Sequence, residues 1–109
     1  MANLLKVLGQ VAPGAASLTT LYTVPALTTS VVSSLCICNR STSPTSFRIA
    51  IRPSGAAISN EMYLYYDVEI LGRDTFTSTI GISLGAGDVI SVYATLATLS
   101  FNAFGQENS

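Results

Sequence analysis

The sequence predicts an all-β fold, a single β-sandwich or jelly-roll-like domain of about eight short antiparallel strands. Runs rich in Val, Ile, Thr, Tyr and Phe recur along the whole chain between clusters of Gly, Pro, Asn and Ser, the pattern of strands separated by turns. No window has the i, i+3, i+4, i+7 apolar spacing of a helix of several turns. The 109 residues have room for one ordinary domain.

The first predicted strand is apolar but is followed by a Pro-Gly break. Leu4, Leu5, Val7 and Leu8 are apolar enough to need burial, whereas Pro13 interrupts a strand. We therefore divide the chain into an N-terminal arm or edge strand at residues 1–12 and a β-sandwich domain at 13–109. The arm is expected to add a strand to a neighbouring molecule or to dock on a larger particle.

Seven further strands follow, and alternation predicts the buried side of several of them. In the strand starting at Phe47 the odd positions are apolar, so Arg48 and Arg52 are expected to point outward. The predicted strands lie near Leu4–Val11, Leu18–Val24, Ser30–Cys38, Phe47–Arg52, Tyr63–Ile70, Thr75–Leu84, Val89–Ala94 and Leu99–Phe104.

The strand at 63–70 has its apolar set at even positions, and this phase predicts a polar outer face. Leu64, Tyr66, Val68 and Ile70 are expected inside. The outer face of 63–70 would then consist of Tyr63, Tyr65, Asp67 and Glu69. In the strand at 75–84 the even positions are likewise expected inside.

Charge and composition restrict the function. Five basic and six acidic residues give a net charge of -1, so no basic field is available to hold nucleic acid. Only 10% of the residues are charged, while 14 Ser and 12 Thr supply an uncharged, β-favouring surface. Such a surface offers little repulsion between copies, which favours a homo-oligomer. We expect no membrane partner, because the longest nearly apolar stretches fall far short of the roughly 18 residues of a membrane span.

The sequence contains no histidine, which removes the most common general base and metal ligand. We therefore expect no enzymatic activity, no catalytic residue, no cofactor and no bound metal. Cys36 and Cys38 would face the same side of one strand and could not readily bridge each other. The interpretations left open are two small buried thiols, disulfides between chains, or a metal site completed by other ligands.

Asp67 and Glu69 form a pair of carboxylates on one predicted face. Their spacing could suit acid/base chemistry or a hard cation, but the arginines of the Phe47 strand are ready partners in a polar face or a subunit contact. Tyr and Arg are enriched at interface hot spots. The predicted main contact surface therefore consists of Arg48, Arg52, Tyr63, Tyr65, Asp67 and Glu69, with Leu4, Leu5, Val7 and Leu8 of the arm as a second contact.

Segments along almost the whole chain resemble a group of small virion proteins of tailed bacteriophages. The resemblance implies a structural component of a particle, assembled in the cytoplasm of a bacterial host, and transfers no catalytic residue. The segments are Lys6–Gln10 (KVLGQ), Leu21–Pro25 (LYTVP), Val32–Ser34 (VSS), Cys38–Arg40 (CNR), Phe47–Arg48 (FR), Tyr63–Asp67 (YLYYD), Asp74–Phe76 (DTF), Gly81–Leu84 (GISL), Gly87–Asp88 (GD) and Ser100–Gly105 (SFNAFG).

A second, shorter resemblance concerns the end of the chain. Leu84–Tyr93 and Ser100–Gly105 are similar to the last strands of trimeric jelly rolls of the complement and tumour-necrosis-factor type, which favours a homotrimer. The implied partners are further copies of the chain and other virion proteins, such as the major capsid or tail proteins. A decoration or cement protein of the capsid and a part of the tail or fibre remain equal alternatives. A module of another class, binding host-surface carbohydrate through Tyr63 and Tyr65, also stays open.

Overall fold

The computed structural model describes residues 3–109 and confirms the all-β prediction. Nine strands form two antiparallel sheets, and two short 3-10 turns lie in one connection. No helix among the described residues is long and apolar enough to cross a membrane. The strands are β1 (Asn3–Val11), β2 (Thr19–Thr23), β3 (Thr29–Asn39), β4 (Thr45–Arg52), β5 (Tyr63–Ile70), β6 (Thr75–Ser78), β7 (Ile82–Leu84), β8 (Val89–Ala94) and β9 (Leu99–Asn108), and the 3-10 turns are Pro53–Gly55 and Asn60–Met62.

The two sheets stack as a sandwich. Sheet I has the order β1-β9-β3-β6, with β7 also paired to β3, and sheet II has the order β2-β8-β4-β5. If β6 and β7 are counted as one position, this is the strand order of a jelly roll. The chain passes repeatedly between the sheets, so the tight turn at Gly85–Asp88 joins strands of different sheets.

Inward side chains of both sheets form one core. Phe47 lies at its centre, with ring centroids 5.3 Å from Phe76 and 6.1 Å from Phe101. β8 is buried along nearly all its length, which explains its continuous apolar sequence. The largest fully buried apolar side chains are Phe47, Phe101, Leu35, Ile37, Ile49, Ile90, Leu99, Val24, Val32 and Val92.

Residues 3–11 of the predicted arm form the edge strand β1. They pair with β9 from Asn3 opposite Asn108 to Val11 opposite Phe101. Leu8 is buried in the core at 9% exposure, so its prediction as a contact residue is wrong. Gly9 lies against the backbone of Leu21, where a Cβ would collide with the carbonyl group. Residues 1 and 2 lie outside the described part of the chain, and addition of β1 to a neighbouring molecule stays a prediction.

The predicted phase of β5 is wrong over its first half. Leu64 and Tyr66 are exposed, whereas the Tyr65 ring packs inward against Phe47 and Phe76. The cause is in the register: Phe47 lies opposite Val68 and Ile49 opposite Tyr65, so β5 has one residue more than β4 in this interval. A second irregularity follows between Ile49 and Ala50. These bulges reverse the alternation that the sequence suggests.

The predicted strand at 75–84 is two strands. Gly81 lies between β6 and β7 with a φ of 67°, a left-handed conformation that separates their two stretches of pairing with β3. Ile80, predicted to point inward, is 60% exposed in this connection. β9 extends to Asn108, four residues beyond its predicted end, because its polar last residues continue to pair with both β1 and β3.

Candidate functional site

The bulge in β5 places two residues, Tyr66 and Asp67, opposite Arg48 of β4. Asp67 has a φ of 53°, the left-handed region that Asp tolerates better than most residues. Its carboxylate accepts a hydrogen bond of 2.6 Å from Nε of Arg48. This bond is the main reason that the pKa of Arg48 lies above its usual range.

The Arg48 guanidinium is held between two aromatic rings. Its central carbon lies 4.2 Å from the ring centroid of Tyr66 and 4.4 Å from that of Tyr93, its cross-strand neighbour on β8. Tyr63 contacts Tyr66 edge to face, with centroids 4.9 Å apart. We call Arg48, Tyr63, Tyr66, Asp67 and Tyr93 the tyrosine–arginine cluster. Cation–π contacts of this kind fix the arginine and the rings relative to one another.

Two shallow depressions adjoin the tyrosine–arginine cluster. One, of about 450 Å³, is lined by Asn60, Tyr63 and Tyr66. The other, of about 410 Å³, is lined on one side by the carboxylates of Asp67 and Glu69. Its remaining lining residues are Pro44, Thr45, Ser46, Thr95 and Leu96.

The predicted contact surface is thus only partly assembled as expected. Arg48, Tyr63, Asp67 and Glu69 lie on the outer side of sheet II, but Tyr65 does not: its ring is in the aromatic cluster and its hydroxyl contacts Oγ of Ser78 at 2.6 Å. Sequence alternation missed Tyr66 and Tyr93 as members of the site. The only signal for Tyr66 was its position beside Asp67, a residue suited to a bulge.

Arg52 has a different environment from Arg48. It donates hydrogen bonds to the carbonyl groups of Ala56 and Gly55, at 2.7 and 3.0 Å, and to Oγ of Ser91 at 3.3 Å. It therefore anchors the connection between β4 and β5 rather than presenting a free guanidinium.

The outer face of sheet I is the second candidate surface. Leu5 and Val7 of β1, Val31 of β3 and Phe104 of β9 lie on it with exposures of 79, 46, 40 and 36%. The register places Leu5, Gln106 and Val31 side by side, and Val7 beside Phe104. We call Leu5, Val7, Val31 and Phe104 the apolar patch.

This outer face carries no charged side chain among the described residues. Lys6 of β1 alternates to the inner side and forms an ion pair of 3.3 Å with Glu107. Cys36 and Cys38 lie on the outer face as free, partly exposed thiols, so the interpretation of two small buried thiols is wrong. Besides the apolar patch, the face includes Asn3, Gln10, Thr29, Ser34, Cys36, Cys38, Thr75, Thr77, Ser83, Ser100, Asn102, Gln106 and Asn108.

No group of three or more Cys, Asp or Glu side chains that could hold a metal ion occurs within residues 3–109. No protein-family model, no curated protein and no solved structure matches the chain.

Proposed function

We propose that this protein is a non-enzymatic structural component of a bacteriophage particle, where its copies associate with one another and with capsid or tail proteins. The observation that carries the proposal is the apolar patch on an uncharged sheet face. The sequence resemblance to virion proteins supplies the setting. Jelly rolls also occur in viral capsid proteins, although a fold alone specifies no function.

The apolar patch is suited to association for two physical reasons. Four large apolar side chains lie on one face of three adjacent strands, and burying them would remove apolar surface from water. The surrounding Ser, Thr, Asn and Gln side chains present no like charges that would repel a second copy.

Edge strand β1 adds backbone groups to the same region. It is the outermost strand of sheet I, and its one charged side chain, Lys6, is engaged by Glu107. Edge strands are usually protected from pairing by charges or proline, and β1 has neither on its outer face. We propose a homotrimer built on the apolar patch and β1, with the virion as its location.

Oligomer size in solution tests the self-association. Light scattering on the purified protein at tens of micromolar should give a mass above that of the 11.4 kDa monomer. The double variant Leu5→Lys with Phe104→Lys should be monomeric and folded, because both side chains are on the surface. Leu71→Lys, which changes an apolar residue that is 57% exposed outside this face, is the matched control and should assemble like the parent. A monomeric parent would contradict the proposed assembly.

The particle itself tests the virion assignment. An antibody against the protein should detect it in phage particles purified from the lysate of a host that produces it. Its presence only in the soluble fraction, with none in the particles, would overturn the assignment to a virion.

A further inference from the structure

We infer that the tyrosine–arginine cluster, together with the two depressions that its residues line, is a binding site for an uncharged oligosaccharide, one sugar ring of which stacks on Tyr66. This inference does not depend on the proposed assembly, because the cluster lies on sheet II and the apolar patch on sheet I.

The first argument is the backbone at Asp67. A non-glycine residue at a φ of 53° costs free energy. The bulge points Tyr66 into solvent, although the alternation of the strand would place it in the core. Bulges of this kind often re-aim a side chain next to a binding site. Tyr66 is 56% exposed as a result, although a ring of this size would be stabilised by burial.

The second argument is that the exposed ring is already fixed. Arg48 lies against Tyr66, Asp67 holds Arg48, and Tyr63 contacts Tyr66 edge to face. A ligand that stacks on this ring would therefore lose little side-chain entropy on binding. A rigid, half-exposed aromatic ring suits the C–H face of a sugar.

The third argument is the polar lining of the two depressions. Asn60 lines one depression, and Glu69 lines the other together with Ser46 and Thr95, whose hydroxyl oxygens lie 2.7 Å apart. Carboxylates accept hydrogen bonds from hydroxyl groups, and the amide can both donate and accept. An array of donors and acceptors around an aromatic ring is complementary to a polyhydroxylated ligand.

Electrostatics favours an uncharged ligand. The charge of Arg48 is compensated by Asp67 at 2.6 Å, so it does not attract phosphate or another anion strongly. Glu69, exposed beside the depression that Asp67 lines, would repel an anion. These charges disfavour nucleic acid and acidic polysaccharide as occupants.

The test is binding to an array of immobilised neutral and acidic oligosaccharides. The parent should bind at least one neutral oligosaccharide, Tyr66→Ala should weaken that binding by about tenfold or more, and Tyr66→Phe should retain it. Leu71→Ala, an exposed apolar change outside the site, is the control for the array. Circular dichroism should show that each variant is folded.

A measurement on the unaltered protein complements the variants. Irradiation of its aromatic protons should transfer saturation to the sugar-ring protons of the bound oligosaccharide in NMR. Absence of binding to every neutral oligosaccharide, binding of acidic ones alone, or binding that is unchanged in a folded Tyr66→Ala would each overturn the inference.

Discussion

Tyr22 and Glu107 are joined across the two sheets by a hydrogen bond of 2.5 Å from the phenolic hydroxyl to Oε2. The same phenol oxygen lies 2.7 Å from Oγ of Ser30, and Oε1 of Glu107 accepts a bond from Lys6. These four side chains come from β2, β9, β3 and β1. They therefore tie both sheets and the edge strand together at one end of the sandwich.

Removing the phenolic hydroxyl should destabilise the fold. Tyr22→Phe deletes the bonds to Glu107 and Ser30, and it leaves the Ser30 hydroxyl, in a residue only 1% exposed, without this partner. We expect a loss of about 1–3 kcal/mol in the free energy of unfolding. Urea denaturation measures it, and Tyr66→Phe, whose ring is half exposed, should change the same quantity by less than about 0.5 kcal/mol.

The same contact should make stability depend on pH at both extremes. The hydrogen bond from Tyr22 is the main cause of the lowered pKa of Glu107. Its contribution is therefore present above the unfolded pKa of about 4.3 and is lost as the pH falls through the folded value.

At the alkaline end, burial first and the bond to Glu107 second raise the pKa of Tyr22 to about 12. Its contribution is present below the unfolded value of about 10 and is lost as the pH rises towards 12. Free energies of unfolding measured across both ranges should vary less in Tyr22→Phe than in the parent. Parallel curves for the two proteins would show that this pair does not control the dependence.

Close approach of β1 to β2 should make Gly9 intolerant of substitution. A Cβ at this position would collide with the Leu21 carbonyl group, which is backbone and cannot rotate away. Gly9→Ala should therefore destabilise the protein by about 1–3 kcal/mol, as overpacking does elsewhere. Gly14→Ala is the matched control, since no atom lies within 4 Å of a Cβ built there. Equal melting temperatures for the two variants would contradict the packing of β1 on β2.

The sequence predicts the buried side correctly in strands whose apolar residues all lie on one side. In β4, Phe47 and Ile49 alternate with arginine, and the structure buries the predicted side. In β5, tyrosines occupy positions 63, 65 and 66, so either phase offers aromatic residues to the core. The bulge decides between these two phases. It depends on how β5 pairs with β4, and the sequence of β5 alone does not specify that pairing.

The candidate sites were predictable to different extents for a similar reason. Charge scarcity points to Arg48 and Asp67, and alternation puts both on an outer face, but the bulge in β5 brings Asp67 opposite Arg48. The uncharged face of sheet I was not foreseen, because it is assembled from strands far apart in the sequence, such as β1, β3 and β9. The sequence pattern places Phe104 at the end of the last predicted strand and gives it no role on a surface.

Tyr65 should contribute more to stability than its neighbour Tyr66, which is the reverse of what the sequence pattern predicts. Tyr65 packs against Phe47 and Phe76, with centroids 6.3 and 5.5 Å away, so Tyr65→Ala should cost about 2–4 kcal/mol of unfolding free energy. Tyr66→Ala removes a half-exposed ring and should cost about 1 kcal/mol or less. Chemical denaturation of the two variants side by side measures the difference. A larger loss for Tyr66→Ala would place the bulge elsewhere in β5.

Three substitutions of Asp67 can separate the effect of backbone strain on stability from the effect of the ion pair with Arg48. Asp67→Asn, Asp67→Ala and Asp67→Gly all remove the charge that holds Arg48, a side chain only 23% exposed. They differ in how well they accept a φ of 53°, which Gly adopts freely, Asn tolerates and Ala disfavours. The free energy of unfolding should therefore fall in the order Gly, Asn, Ala, with about 1 kcal/mol or more between Gly and Ala. Equal stabilities would mean that β5 relaxes its bulge once the ion pair is gone, and Tyr66 would then lose the position that exposes its ring.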